Sequence, residues 1–110
     1  MKLASIDAVR EYKVNGPNTV PMGGGTHLNC LAHFFKAGQR LGPARHVTDT
    51  LFYIVRGRAR IRIANQEEDG RPGDLFLAVG QQEVWIGNSG RDEMILLAVL
   101  ATPRPGGQDP

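Results

Sequence analysis

Few side chains in this sequence can bind a metal or transfer a proton, and His46 is the most informative of them. It lies in the stretch LGPARHVTDTLFYIVRG, between a turn that contains glycine and proline and an apolar segment. Histidine changes its charge near neutral pH, and its neutral ring is a common metal ligand. Proton transfer and ligation are therefore the two kinds of chemistry that we expect at His46.

A second histidine, His33, lies in the apolar segment HLNCLAHFF at residues 27–35. Side chains alternate between the two faces of a strand, so Leu31, His33 and Phe35 share one face if this segment is a regular strand. If that face points into the interior of a β-sheet domain, His33 can join His46. His27 begins the same segment, directly after MGGGT, and is expected to be a loop residue.

The sequence predicts a series of short strands, which would determine the positions of the histidine side chains. Turn sequences such as NGPN, AGQRLGP, EEDGRPGD and NSGRD recur along the chain. The segments between them, rich in β-branched, aromatic and other apolar residues, are residues 27–35, 51–55, 59–64, 75–79, 84–86 and 94–100. This spacing predicts an all-β sandwich or barrel. A short helical turn is expected at residues 5–11, with Ser5 as its N-cap residue.

Composition excludes several classes of protein. The chain has 110 residues, which fits a single domain, and no apolar run of the ~20 residues that span a bilayer. The single cysteine, Cys30, argues against a disulfide framework, and the N-terminus lacks the long apolar region of a secretory signal. We therefore expect a cytoplasmic protein that does not bind membranes.

A group of arginines raises the question of nucleic-acid binding. Arg56, Arg58, Arg60 and Arg62 alternate with other residues and would share one face of a continuous strand. The net charge is only +2, and no nucleic-acid motif or interleaved aromatic residues accompany the arginines. The arginines are interpreted as a solvated strand face, and no nucleic-acid partner is predicted.

Two motif frames in the sequence resemble those of the cupin family, in particular its small single-domain members. In the first, Gly57 closes the strand LFYIVRG, and the family spacing places Ala44 and His46 at the two histidine positions and Thr50 at the glutamate position. In the second, Gly73 and Asp74 open the frame, Asn88 closes it, and Val84 stands at the histidine position. The resemblance covers residues 28–99 and implies a double-stranded β-helix, or jelly-roll, barrel.

The resemblance also implies that the usual ligand set of the family is degenerate in this chain. Of its four ligand positions only His46 holds a metal donor. A rearranged site for a divalent transition metal stays open as an alternative, with His46, His33, and Glu83 or Asp49 as ligands. Glu83 and Asp49 lie next to vacated positions, and a β-bulge would turn either of them inward. Without a bulge, Glu83 and Trp85 face away from the interior.

Three hypotheses of function follow from the resemblance. In the first, the barrel binds a small organic ligand without a metal, and His46 is the general acid or base. Thr50 and Asn88 would orient the ligand, and Phe35 and Phe52 would form part of the apolar walls. In the second, the protein is a metal-dependent oxygenase that uses the rearranged site. In the third, the barrel is a non-catalytic sensor or structural protein. The sequence does not decide whether the protein is an enzyme.

The resemblance further implies a homodimer, for which we expect pairing of N-terminal strands near residues 11–14. The predicted organisation is an N-terminal arm with an edge strand at residues 1–26, a barrel at residues 27–101 and a flexible tail at residues 102–110.

Overall fold

The computed structural model describes residues 1–102, and it confirms the all-β prediction with two antiparallel sheets. One short helix, α1 (Ile6–Val9), precedes the strands β1 (Asn18–Gly24), β2 (Leu28–Phe35), β3 (Arg40–Arg45), β4 (Thr50–Arg56), β5 (Ala59–Ile63), β6 (Gln66–Gly70), β7 (Leu75–Ala78), β8 (Glu83–Asn88) and β9 (Met94–Ala101). The five-stranded sheet has the order β1-β2-β9-β4-β7, and the four-stranded sheet has the order β3-β8-β5-β6. All but the first residue of the predicted C-terminal tail lies outside the described residues.

The main hydrophobic core fills the space between the two sheets. Alternate residues of β4 and β5, among them Phe52, Ile54 and Ile61, are buried there together with residues of β8 and β9. Phe35 of β2 joins this core and Leu31 packs against it, so the face shared by Leu31, His33 and Phe35 points inward. The two-residue period of the sequence thus directs one set of side chains into the barrel.

A second apolar cluster lies on the outer face of the five-stranded sheet. Ala32 and Phe34, which have the opposite parity to His33, are fully buried against the N-terminal segment. Ile6 and Tyr12 of that segment pack on this face, and the ring of Tyr12 meets Phe34 edge-on at 5.7 Å between centroids. The segment around α1 therefore covers one part of the sheet. Ser5 stands at the N-cap position of α1, but its side chain makes no capping hydrogen bond.

Strands β3 and β6 were not predicted from the sequence, and the edge strand expected within residues 1–26 forms at Asn18–Gly24 instead of at residues 11–14. The N-terminal strand is β1, which begins at Asn18 and pairs with β2 along the edge of the five-stranded sheet. Residues 11–14 instead form the approach to β1, where the backbone carbonyl of Glu11 accepts a hydrogen bond from the Asn18 side chain.

The arginines do not form a continuous face. Arg56 ends β4 in one sheet, whereas Arg60 and Arg62 belong to β5 in the other, because the chain turns at Gly57. Arg60 pairs with Glu67 at 3.1 Å and with Asp69 at 3.0 Å, both on the neighbouring strand β6. Within residues 1–102, no helix is long and apolar enough to cross a bilayer.

Candidate functional site

The candidate site is a cavity of about 190 Å³ between the two sheets. Among the described residues that line it, only His33 and His46 have polar side chains. The remaining lining residues come from β2, β3, β4, β8 and β9: Leu31, Leu41, Gly42, Ala44, Phe52, Val84, Ile86, Ala98 and Leu100. Two imidazoles thus meet in an otherwise apolar space.

A larger groove of about 520 Å³ runs between β5, β6 and β7. It is lined by apolar residues of β5 and β7, by amides and by Glu68, and none of the described histidines reaches it. Because Glu68 is exposed to solvent, this groove lacks the enclosed polar groups that fix the orientation of a small ligand. The cavity that contains the two histidines is therefore the better candidate.

His46 lies in the loop between β3 and β4, and its half-buried ring faces Phe52 at 6.4 Å between centroids. The loop is fixed against the turn between β7 and β8. The backbone carbonyl of His46 accepts a hydrogen bond from Gln81 N at 2.7 Å, and Asp49 Oδ1 accepts one from Gly80 N at 2.9 Å. The ring nitrogens of His46 make no hydrogen bond to any residue within 1–102, so they are free to meet a ligand.

His33 lies on β2 with only 8% of its surface exposed. Its Nδ1 is 2.8 Å from the hydroxyl oxygen of Thr19, its cross-strand neighbour on β1. Burial lowers the pKa of His33 to about 4, and the nearby His46 acts in the same direction. His33 is therefore a neutral ring near pH 7, with one nitrogen engaged by Thr19.

Two of the four family ligand positions, those of Ala44 and Val84, lie where the alignment without a β-bulge places them. These two residues face each other across β3 and β8, and both line the cavity. Val84 and Ile86 are buried and Glu83 is exposed, because β8 pairs with β5 without a bulge. Thr50, at the glutamate position, is fully buried and does not line the cavity. Its hydroxyl has no hydrogen-bond partner among the described residues.

Glu83 and Asp49, the carboxylates of the rearranged metal site, lie outside the cavity. Glu83 is directed outward and lies 3.9 Å from the guanidinium of Arg45. Asp49 is exposed, and its carboxylate is used to fix the turn at Gly80. The bulge that would bring Glu83 inward is absent because β8 keeps a regular register with β5.

The side chains present do not fit a resident transition metal. Such a metal requires three or four nitrogen, oxygen or sulfur donors that converge on one point. The cavity offers the imidazoles of His33 and His46, and one nitrogen of His33 is already bonded to Thr19. Across residues 1–102, no group of three or more His, Cys, Asp or Glu side chains is placed to hold a metal ion.

Asn88 and Phe35 also lie outside the cavity lining. The Asn88 side chain is buried four residues beyond Val84, where it donates to the carbonyl of Asp92 at 2.8 Å and accepts from Gly90 N at 3.0 Å. It holds the turn between β8 and β9. Phe35 belongs to the main core, with its ring 6.4 Å from that of His33. Of the predicted ligand-binding residues, Phe52 is the one that lines the cavity.

Thr19 is the residue of the site that the sequence analysis missed. It lies on the edge strand β1, whose sequence contains Pro21 and glycines. These residues are rare in strands, so β1 lacks the usual sequence pattern of a strand. Once β1 and β2 are known to pair, the register places Thr19 opposite His33 and on the same face. The missing information was the strand pairing, and no local signal in the sequence supplies it.

Comparison with known proteins establishes the fold. No protein-family model matches the sequence, and no curated protein matches it. The solved structure of TT1209 from Thermus thermophilus is similar with a TM-score of 0.86 at 21% identity, over 96% of this chain and 100% of that one. An uncharacterized conserved protein with a double-stranded β-helix domain from Klebsiella pneumoniae has a TM-score of 0.84 at 18% identity, over 92% of this chain and 90% of its own.

An RmlC-like cupin from Shewanella frigidimarina is similar with a TM-score of 0.76 at 16% identity, over 94% of this chain and 93% of that one. At these identities the likeness concerns the fold. The predicted double-stranded β-helix is confirmed, and the chain is a small barrel with the cupin fold.

Proposed function

We propose that this barrel binds one small, largely apolar organic molecule between His33 and His46, and that it does so without a metal. The observation that carries the proposal is the pair of imidazoles facing a partly open, otherwise apolar cavity. A polar group in such a place loses hydration, and a ligand with a matching polar group compensates that loss. The apolar walls supply binding free energy, and the two rings supply orientation.

The size of the cavity limits the ligand. Its volume of about 190 Å³ is below the ~300–1,000 Å³ of pockets that hold drug-sized molecules. A nucleotide or a dinucleotide cofactor does not fit. A compact molecule with one ring, or a short branched chain with one or two polar atoms, is the class of ligand that we propose.

We further propose that His46 acts as the general acid or base if the ligand is transformed. His46 is half-buried and its ring nitrogens have no partner within the described part of the chain, so it can exchange a proton with both solvent and ligand. His33 is held by Thr19 and is neutral near pH 7, so it is suited to orient the ligand. No donor set within residues 1–102 supports the metal-dependent alternative.

The test is a screen of small metabolites by NMR with protein labelled at its histidine rings. A true ligand shifts the ring signals of His33 and His46 together and leaves those of His27 unchanged, because His27 is exposed and outside the cavity. His46→Ala should weaken binding at least about tenfold, and His27→Ala is the matched control. Ligands that shift only His27, or that bind His46→Ala as well as the wild type, would refute the proposal.

A homodimer is proposed as well, through a different surface from the one expected. Leu51, Tyr53, Leu75 and Leu77 lie on the outer face of the five-stranded sheet, and each is at least 37% exposed. Leu51 is the cross-strand neighbour of Leu77, and Tyr53 that of Leu75, so the four side chains are contiguous. We call them the outer apolar patch.

A second copy is the occupant that we propose for the outer apolar patch. The N-terminal segment of the chain covers another part of the same sheet face, where Phe34 and Ile95 are buried. The four side chains of the patch are uncharged, so two copies meet there without opposing like charges. Because every copy carries the same patch, a two-fold axis allows each to cover the other.

A further inference from the structure

The hydrogen bond between Thr19 and His33 bears on the chemistry of the ligand. Thr19 is exposed on the edge strand β1, whereas His33 is buried on β2, and the antiparallel register places the two residues directly opposite each other. The distance of 2.8 Å between Thr19 Oγ1 and His33 Nδ1 is that of a good hydrogen bond. Threonine is stiff about χ1, so its hydroxyl is held in place.

The chemistry of the two groups decides which of them donates. A neutral imidazole has one nitrogen that donates and one that accepts, and a hydroxyl can do either. The lone pair of the unprotonated imidazole nitrogen is more basic than a hydroxyl oxygen, so the stronger bond has Thr19 donating to Nδ1. The ring hydrogen of His33 then resides on Nε2. The neutral state that this requires agrees with the pKa of His33, which burial lowers to about 4.

We infer that Thr19 fixes His33 as the tautomer with hydrogen on Nε2, so that the cavity presents a permanent hydrogen-bond donor and selects apolar ligands that carry an oxygen acceptor. The inference rests on the proposed binding function, which it makes more specific. A neutral carbonyl oxygen satisfies this donor, whereas a carboxylate would bring a negative charge into a cavity that no lysine or arginine among the described residues lines. Thr19 is a positioning residue, since it acts on the ligand through His33.

Hydrocarbon ligands and cationic ligands are less favourable, because each would leave a polar or charged group in the cavity without a partner. A hydrocarbon ligand would leave the N–H of His33 without an acceptor in an apolar cavity, and an unsatisfied buried donor weakens binding by about tenfold or more. A cationic ligand would place a charge among apolar walls with no carboxylate to pair with it, since both Glu83 and Asp49 lie outside the cavity. An uncharged apolar body that carries a hydrogen-bond acceptor, such as a carbonyl oxygen, satisfies both conditions.

The first test measures the tautomer directly. Long-range proton–nitrogen NMR spectra of the histidine rings distinguish hydrogen on Nε2 from hydrogen on Nδ1. At pH 7 we expect the Nε2–H form of His33 in the wild type and in Thr19→Ser, which keeps the hydroxyl. Thr19→Val keeps the branched shape without the hydroxyl and should give a mixture of tautomers. An Nδ1–H form in the wild type, or an unchanged tautomer in Thr19→Val, would overturn the inference.

The second test uses three probes that share a six-membered carbon ring: cyclohexanone, cyclohexanecarboxylate and cyclohexene. Titrations followed by the ring signals of His33 should show one or both oxygen-containing probes binding at least about tenfold more tightly than cyclohexene. The preference should shrink in Thr19→Val and persist in Thr19→Ser. The two oxygen probes distinguish a neutral carbonyl ligand from an anionic one.

The outcomes separate this inference from the proposed function. Equal affinity for all three probes in the cavity would support ligand binding and overturn the selection of oxygen acceptors. If no probe and no metabolite shifted His33 and His46, the proposed binding function would fail, and the ligand class would fail with it. The spectra of the unliganded protein would still decide the role of Thr19 in that case.

Discussion

At the scale of single residues, His33 and His46 differ in their surroundings although they line the same cavity. His33 is buried and bonded to Thr19, and His46 is half-buried in a loop with no ring partner among the described residues. Under the proposed function, this difference suits His33 to orient the ligand and His46 to exchange a proton. The proposal therefore gives two identical side chains different roles because their environments differ.

The burial of His33 predicts a dependence of stability on pH. Its pKa is about 4 in the folded protein against 6.5 for an ordinary histidine, so the unfolded chain takes up the proton first as the pH falls. The stability that His33 contributes is complete above pH ~6.5 and is lost progressively down to pH ~4, by roughly 3 kcal/mol at most.

Chemical denaturation at intervals between pH 7 and pH 4 measures this loss. In His33→Gln, which cannot take up a proton, the decline over this range should be smaller by an amount of that order. His27→Gln is the control, since His27 is exposed. A variant His33→Gln with the same pH dependence as the wild type would show that the burial of His33 has no such effect.

At the scale of secondary-structure elements, the predicted and the observed strands differ in an informative way. The six segments predicted from apolar and β-branched residues all correspond to strands, whereas β3 and β6 were missed and β1 was expected only as an edge strand within residues 1–26. These three strands all lie at sheet edges. Edge strands tolerate proline, glycine and charge, as in NTVPMGG, RLGPAR and QEEDG, because one side of their backbone remains unpaired.

The weak sequence pattern of edge strands also explains which parts of the candidate site could be predicted. Strand parity put His33 on one face with Leu31 and Phe35 but left open whether that face points inward, and the motif spacing indicated His46 and Val84 as cavity positions, where both lie. Thr19 was not predictable because its role depends on the pairing of β1 with β2. Asn88 was assigned to the ligand by analogy, but its side chain holds the turn at Gly90 and Asp92.

The loop that carries His46 depends on a glycine in the neighbouring turn. A Cβ atom at Gly80 would lie 2.7 Å from the carbonyl oxygen of Val47, which is too close without displacement of the loop. Gly80→Ala should therefore destabilise the protein by about 1–3 kcal/mol and move the ring signals of His46.

Gly25→Ala is the matched control, because a Cβ at Gly25 meets no atom within 4 Å. Thermal unfolding and the histidine ring spectra measure both effects. If Gly80→Ala matched Gly25→Ala in stability and left His46 unchanged, the close packing of the two turns would not be what positions His46.

At the scale of the whole molecule, the outer apolar patch predicts self-association. Leu77→Glu should weaken the proposed dimer at least about tenfold, because it places a charge in an apolar interface. Val14→Glu is the control: Val14 is 83% exposed and lies in the segment where the sequence predicted the pairing of two copies.

Sedimentation equilibrium of the wild type and of the two variants separates the two surfaces. Dissociation by Leu77→Glu alone supports the patch, whereas dissociation by Val14→Glu alone supports the N-terminal segment. A wild type that remains monomeric at high protein concentration would refute the dimer.

The central claim is that the barrel works with two imidazoles and without a resident transition metal. The most direct measurement is elemental analysis of untagged protein purified without chelator, beside His46→Ala. We predict no stoichiometric Fe, Mn, Ni, Cu or Zn in either protein, because the cavity offers too few donors among residues 1–102. About one equivalent of one of these metals in the wild type, lost in His46→Ala, would contradict the account.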